Sequence, residues 1–172
     1  GFAVGDTVLL IQMQGATINT SNSASFGDIT NLGNAGNYEI NVICQVDGIG
    51  NEITFQNQFL RTYDSGGNSG VQLIKVETYQ NAIITGPLSA NPWDGVTGGV
   101  LVFQTTGWLR MRAGNSADID DIGFRGGDHL VIPDVCGCSF GGDPTHSDYY
   151  YPYNDALGAP KGEGIAPFTL NR

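Results

Sequence analysis

The sequence contains few basic residues and few charged residues of any kind. Lys and Arg together number 7 against 17 Asp and Glu, the formal net charge is −10, and charged residues make up 14% of the 172 positions. An acidic surface of this kind repels phosphate backbones and anionic lipid headgroups. We therefore expect no nucleic acid and no anionic membrane surface as a partner.

Long apolar runs are also missing from the sequence. No stretch approaches the roughly 20 apolar residues that a helix needs to cross a bilayer, so we expect no membrane span. The chain begins at Gly1 with neither an initiator Met nor a signal peptide. This predicts that it was processed or excised from a longer protein.

The residues that are abundant favour strands and turns. Glycine occurs 26 times, and hydrophobic residues make up 40% of the chain, which argues against disorder. Many Asn, Thr and Ser residues and few Lys and Glu residues disfavour helices. The composition predicts an all-β protein.

The first half of the chain reads as strands joined by turns. The opening strand is apolar on both faces, which indicates burial on both sides, and residues 14–36 read as a long loop. A second strand alternates, with Tyr38, Ile40, Val42, Cys44 and Val46 on one face, and a turn at 47–51 predicts a hairpin. Residues 1–80 are therefore predicted to form a small barrel-like or sandwich-like domain. Four or five strands are predicted, at Thr7–Met13, Tyr38–Val46, Glu52–Phe55, Val71–Val76 and, as the optional fifth, Phe59–Tyr63.

The second half, residues 81–172, is predicted to be a β-solenoid segment with a loop-rich tail. Between Asn91 and Gly127, short β-prone segments such as Val100–Phe103 are separated by glycine-rich corners. The glycines Gly98-Gly99 and Gly126-Gly127 are predicted to be corners with positive φ rather than phosphate cradles, because no helix follows them. Either antiparallel hairpins or a solenoid fits this spacing, because no helical crossover separates the segments. We favour the first coils of a right-handed parallel β-helix.

Six short motifs follow one another along the chain, at Val4–Met13, Ala35–Glu39, Val71–Ile74, Pro92–Val100, Gly123–Gly127 and Lys161–Ala166. In this order they resemble the N-terminal region of large surface proteins of Bacteroidetes-type bacteria. Those proteins are exported by the type IX secretion system and are described as adhesins or gliding-motility-associated proteins. The resemblance implies an extracellular or cell-surface location and a β-rich stalk or head. It implies no catalytic motif, and the Cys-Gly-Cys insertion is not part of it.

Two groups of side chains are candidate metal or disulfide sites. Asp118, Asp120 and Asp121 could supply oxygen ligands to Ca²⁺, although their spacing matches neither the EF-hand loop nor the Gly-Gly-x-Gly-x-Asp repeat, and solvated turn residues are the simpler interpretation. The three cysteines favour a disulfide from Cys44 to Cys136 or Cys138 in an exported protein. Zinc is disfavoured because the Cys-x-Cys spacer is too short and the positions of His129 and His146 do not fit. No other cofactor is expected.

A run of tyrosines near the end of the sequence is the candidate ligand-binding surface. Tyr149, Tyr150, Tyr151 and Tyr153 could stack on sugars or contact a partner, or they could cap the open end of the β core. The Pro-Trp-Asp-Gly corner is interpreted as structural. Trp93 is expected to be buried and Asp94 to accept hydrogen bonds from turn amides, since no catalytic partner has a recognisable spacing.

These features together predict a non-enzymatic structural or adhesive protein, as part of a surface adhesin or an extracellular filament. Self-association through open strand edges would suit a filament. Two alternatives remain: a carbohydrate-binding module that uses the tyrosine run, and a polysaccharide-active β-helix enzyme. An enzyme would require a cluster of acidic and basic side chains, and basic residues are scarce.

Overall fold

The computed structural model describes residues 1–49, 51–64, 66–67, 69–127 and 162–167. These residues form ten strands and no helix, so the all-β prediction is confirmed for them, and none of them lies in a helix that could cross a membrane. The strands are β1 (Thr7–Gln14), β2 (Thr17–Ile18), β3 (Ile29–Asn31), β4 (Tyr38–Asp47), β5 (Glu52–Phe55), β6 (Gly70–Lys75), β7 (Glu77–Tyr79), β8 (Ala82–Ile84), β9 (Phe103–Thr105) and β10 (Leu109–Met111).

Four strands of the first half form one antiparallel sheet in the order β5-β4-β1-β6. Its central strand, β1, buries Val8 on one face and Leu9 on the other, and Leu9 lies opposite Ile40 on β4 and Ile74 on β6. Burial on both faces confirms the prediction for the opening strand. The predicted hairpin is confirmed as well, because β4 pairs with β5 from Ile43 to Asp47.

The alternation along β4 does not identify the buried face. Tyr38 and Ile40, which belong to the apolar set, are 62% and 56% exposed, whereas Asn41 and Ile43 on the opposite face are 5% and 1% exposed. A polar residue can occupy the buried face because its side chain is hydrogen-bonded there. The partner is the segment 56–64, which crosses this face of the sheet.

Side chains of the sheet hold this covering segment by its backbone. Asn41 donates to the Asn57 carbonyl (2.7 Å) and accepts from the Asn57 amide (3.2 Å). The Glu39 carboxylate accepts the amides of Leu60 (2.9 Å) and Arg61 (2.7 Å). These hydrogen bonds, first of all the one from Leu60, lower the pKa of Glu39. The segment is thus fixed without becoming a strand.

Aromatic side chains of the covering segment pack against one another and against β5. Phe59 makes edge contacts with Phe55 and Tyr63, at ring-centroid distances of 4.8 and 5.7 Å. The Tyr63 hydroxyl donates to Glu39 (3.2 Å). Burial, followed by the negative charge of Glu39, raises the pKa of Tyr63 to about 12. The tyrosine therefore stays neutral throughout the physiological range.

The stretch predicted as a long loop, residues 14–36, contains a short antiparallel ribbon. Strands β2 and β3 pair within it, with Thr17 opposite Asn31 and Ile18 opposite Ile29. The expectation of a continuous loop was therefore wrong. The strands are two and three residues long, so alternation could not have revealed them, and Ile29 is 53% exposed rather than an apolar anchor.

The strands of the second half pair in parallel. Strand β7 pairs with β9, strand β8 pairs with β10, and an isolated parallel bridge joins Leu88 to Ala117. Each residue in these pairs lies next to one about 26 to 29 positions further along the chain, within the roughly 20 to 50 residues typical of structural repeats. The chain from Glu77 to Leu88 thus runs beside the chain from Phe103 to Ala117 in the same direction.

Candidate functional site

The parallel pairs of the second half are held by backbone hydrogen bonds that continue beyond the strands. The amides of Thr106 and Gly107 donate to the carbonyls of Tyr79 (2.9 Å) and Gln80 (2.7 Å), and Arg112 donates to Ile84 (3.0 Å). Asn81 supports the bend between β7 and β8, since its Oδ1 accepts the Trp108 amide (3.0 Å). The stretches 77–88 and 103–117 therefore stay paired through the bend between their strands.

The Pro-Trp-Asp-Gly corner packs as the sequence predicts. Trp93 is 3% exposed, its amide donates to the Ile122 carbonyl (2.8 Å), and its ring meets the edge of Phe124 at 5.3 Å. Asp94 accepts the amides of Thr97 (2.7 Å) and Val96 (2.8 Å). These bonds, with the one from Thr97 the largest cause, lower the pKa of Asp94. All the contacts of Asp94 are those of a turn-stabilising residue.

A buried glutamine joins this corner to the sheet. Gln72 on β6 is 5% exposed, and its amide group donates to the Gly98 carbonyl (3.0 Å) and accepts the Gly98 amide (2.8 Å). Gly98 and Gly99 have φ values of 99° and 73°, which confirms them as positive-φ corners. The same prediction was wrong for Gly126, which has no positive φ.

A short segment, residues 162–167, connects the corner to the end of β1. The Ile165 carbonyl accepts the amides of Gly15 (2.9 Å) and Ala16 (3.1 Å), and Gln14 donates to the Gly164 carbonyl (2.9 Å). On the other side, Glu163 forms an ion pair with Arg125. This segment is therefore fixed to both halves of the chain.

The ion pair between Arg125 and Glu163 is the strongest electrostatic feature of this junction. Arg125 donates to Glu163 from its backbone amide (3.1 Å), from Nε (2.9 Å) and from Nη2. These bonds, led by those from the guanidinium group, lower the pKa of Glu163 to about 2. The buried Trp93 indole N–H also lies near this carboxylate and contributes to the shift, but it makes no hydrogen bond of normal geometry.

An open cleft lies beside the first of these two paired stretches, residues 77–88. Its volume is about 590 Å³, and it is lined by residues of the stretch 77–88 and by Leu101, Val102 and Phe103. Glu77 and Tyr79 lie directly opposite Phe103 and Thr105 in the parallel ladder, so the four side chains share one face of it. The surface of this cleft is concave, open to solvent and mainly apolar.

The predicted calcium ligands do not converge. Asp118 accepts the backbone amide of Asp120 (3.0 Å), and Asp121 occupies a positive-φ position at 60°. Within the described ranges, no three acidic, histidine or cysteine side chains form a group that could hold a metal ion. Both observations fit turn residues, and calcium binding stays a prediction.

Most of the remaining candidate residues lie outside the described residues. These are Cys136, Cys138, His129, His146, Tyr149, Tyr150, Tyr151 and Tyr153. Cys44 is exposed on β4, and it pairs with no cysteine within the described residues. The disulfide and the tyrosine surface stay predictions.

The cleft and the polar residues that organise the fold were missed by sequence reasoning. The only signal for Gln12, Asn41 and Gln72 was a polar residue in the middle of a strand, and all three are buried. Comparison of the chain with protein-family models, curated proteins and solved structures found no match.

Proposed function

We propose that this chain is a non-enzymatic structural and adhesive element of a cell-surface protein, with residues 77–122 forming the first coil and a half of a right-handed β-helix. The four-stranded sheet of the first half, part of a small barrel, would lead directly into that coil. The observation that carries the proposal is the parallel ladder, in which three successive segments pair with segments one repeat later.

Several further contacts support a coil in preference to hairpins. Trp93 donates its amide to Ile122, so a fourth segment repeats the offset of the isolated bridge between Leu88 and Ala117. A hairpin would bring these strands together antiparallel, whereas both ladders are parallel. Connections between parallel strands of one sheet are right-handed in the great majority of proteins. Stacked coils provide extended rigid faces, which suit adhesion and assembly.

The test of this function combines location, adhesion and turnover. Antibodies against the chain should label intact cells of the producing organism, and beads coated with the chain should be retained on surfaces that those cells colonise. Incubation with a panel of polysaccharides should release no new reducing ends and no unsaturated products. Turnover that disappears when Asp118, Asp120 and Asp121 are replaced by Asn would overturn the non-enzymatic assignment.

Self-association into a filament is the second candidate, and the open ladder edges favour it. Among the described residues, β7 with β9 and β8 with β10 form ladders of only two strands, so each ladder has outer edges without a strand partner. Such edges can accept a strand from another subunit. Concentrated protein should then form polymers visible by electron microscopy, and a purely monomeric sedimentation profile at high concentration would exclude this candidate.

A further inference from the structure

The cleft beside residues 77–88 has the size of a small-molecule site. Its volume of about 590 Å³ lies within the roughly 300 to 1,000 Å³ usual for ligand pockets. Ile84, Leu88 and Phe103 provide apolar walls, and Tyr79 at its margin is 48% exposed. An aromatic ring that is half exposed beside an apolar wall offers a flat surface to a ligand.

Three polar groups are placed around this apolar surface. Glu77 and Tyr79 are two residues apart on β7 and project to the same side as Phe103. The Asn81 side-chain oxygen is already occupied by the Trp108 amide (3.0 Å), which fixes the orientation of its amide group. The Asn81 amide nitrogen makes no hydrogen bond within the described part of the chain. The cleft therefore offers a carboxylate acceptor, a phenol and an amide donor.

The charge of the cleft selects against anionic ligands. Glu77 is the only charged residue among those that line it, and none of them is Lys, Arg or His. Lys75 is close enough for its pKa to be influenced by Glu77, but its ammonium group is bound to Asp6 at 2.9 Å. With a net charge of −10 on the whole chain, phosphate, sulfate and uronate groups would be repelled.

We propose that this cleft binds a neutral oligosaccharide. The Tyr79 ring packs against the apolar face of one sugar ring, the Glu77 carboxylate accepts hydrogen bonds from its hydroxyl groups, and the Asn81 amide donates one. A sugar fits better than a purely apolar ligand, because its hydroxyl groups can donate hydrogen bonds to the exposed Glu77 carboxylate, which an apolar ligand cannot do. The inference names the ligand class of the adhesive function proposed above and rests on that function.

The test is a glycan array probed with the labelled full chain, followed by calorimetric titration of the best neutral oligosaccharide. Tyr79→Ala should weaken binding by roughly tenfold or more, as for an aromatic anchor residue. Glu77→Gln should weaken it by about tenfold, because hydrogen bonds to a charged group are lost. Tyr38→Ala and Glu52→Gln are the matched controls, since both residues are exposed on strands away from the cleft. Each control should change affinity by less than about twofold, well below the cost of losing one such hydrogen bond.

The outcomes separate this inference from the general function. Binding that prefers sulfated or sialylated glycans, binding unchanged in Tyr79→Ala, or no binding to any neutral glycan would overturn the inference. If coated beads still adhere in any of these cases, the adhesive function stands and the cleft assignment alone fails. If the oligosaccharide is cleaved during titration, the non-enzymatic function itself is wrong.

Discussion

Replacing Asn41 by Ala tests whether side-chain amides hold the covering segment on the sheet. Asn41 is 5% exposed and makes two hydrogen bonds to the backbone of Asn57, at 2.7 and 3.2 Å. Each backbone group that loses its partner costs about 1 to 3 kcal/mol when buried. Asn57 itself is exposed, so water replaces part of what is lost. We expect the free energy of unfolding to fall by about 2 to 4 kcal/mol.

The assay is urea unfolding followed by tryptophan fluorescence, which reports the exposure of buried Trp93. Asn31→Ala is the control, because Asn31 is exposed and its single hydrogen bond, to the Gly33 amide at 2.8 Å, can pass to water. The control should cost less than about 0.5 kcal/mol. If Asn41→Ala costs no more than Asn31→Ala, side-chain amides do not hold the segment.

Asn41→Asp adds a readout that simple loss of packing would not produce. The carboxylate keeps an acceptor for the Asn57 amide but faces the Asn57 carbonyl oxygen, where the native side chain donates. Only the protonated acid can donate there, so folding should raise the pKa of this group. Its contribution to stability is then present at low pH and is lost as pH rises through the folded-state pKa. The variant should therefore recover relative to the wild type on acidification.

Three further predictions concern the junction of the two halves. Gln72→Glu should destabilise at pH 7 and less at pH 4, because only a protonated Glu can donate to the Gly98 carbonyl; equal destabilisation at both pH values would refute the bidentate contact. Gly98→Ala should lower the free energy of unfolding by at least about 2 kcal/mol more than Gly114→Ala does, as measured by urea unfolding. Both glycines have positive φ, but of the two only Gly98 lies so close to a backbone carbonyl that a Cβ would overlap it. Similar losses in the two variants would contradict this close approach. The pKa of Glu163 falls from 4.5 to about 2 on folding, so its stabilisation is full above pH 4.5 and is lost as pH falls toward 2. Solvent screens this partly exposed ion pair, so its contribution to stability is about 1 kcal/mol, and Arg125→Ala should remove it. A stability difference between the wild type and Arg125→Ala that is the same at pH 6 and pH 2.5 would exclude this linkage.

Local patterns were sufficient for the strands that are long. Strand β1 is a mostly apolar run, and the hairpin of β4 and β5 shows alternation with a turn signal, so the sequence predicted their positions to within a few residues. Strands β7 to β10 have three residues each, too few for alternation to distinguish strand from loop. The apolar run Val100–Phe103 illustrates this, since only Phe103 belongs to a strand.

The buried faces and the cleft could not be predicted, because distant contacts determine them. Glu39 and Asn41 are polar, yet they lie on the covered face because they bind backbone groups of residues 57–61. The cleft brings the neighbourhood of Tyr79 together with Phe103, which requires the parallel register to be known first. A single sequence shows residue types, but not which remote backbone group each will meet.

The buried amides also account for a feature of the composition. A side-chain amide carries an acceptor oxygen and a donor nitrogen, as a peptide group does, so it can pair with both backbone groups of one residue. Asn41 does this with Asn57, and Gln72 does it with Gly98, where no strand is present to pair. Gln12, fully buried, likewise accepts the Asp64 amide and donates to the Gln14 carbonyl. A neutral amide avoids the desolvation cost of a buried charge. Only 14% of the residues in this chain are charged, and at these three positions amides rather than buried ion pairs hold irregular segments on the sheet.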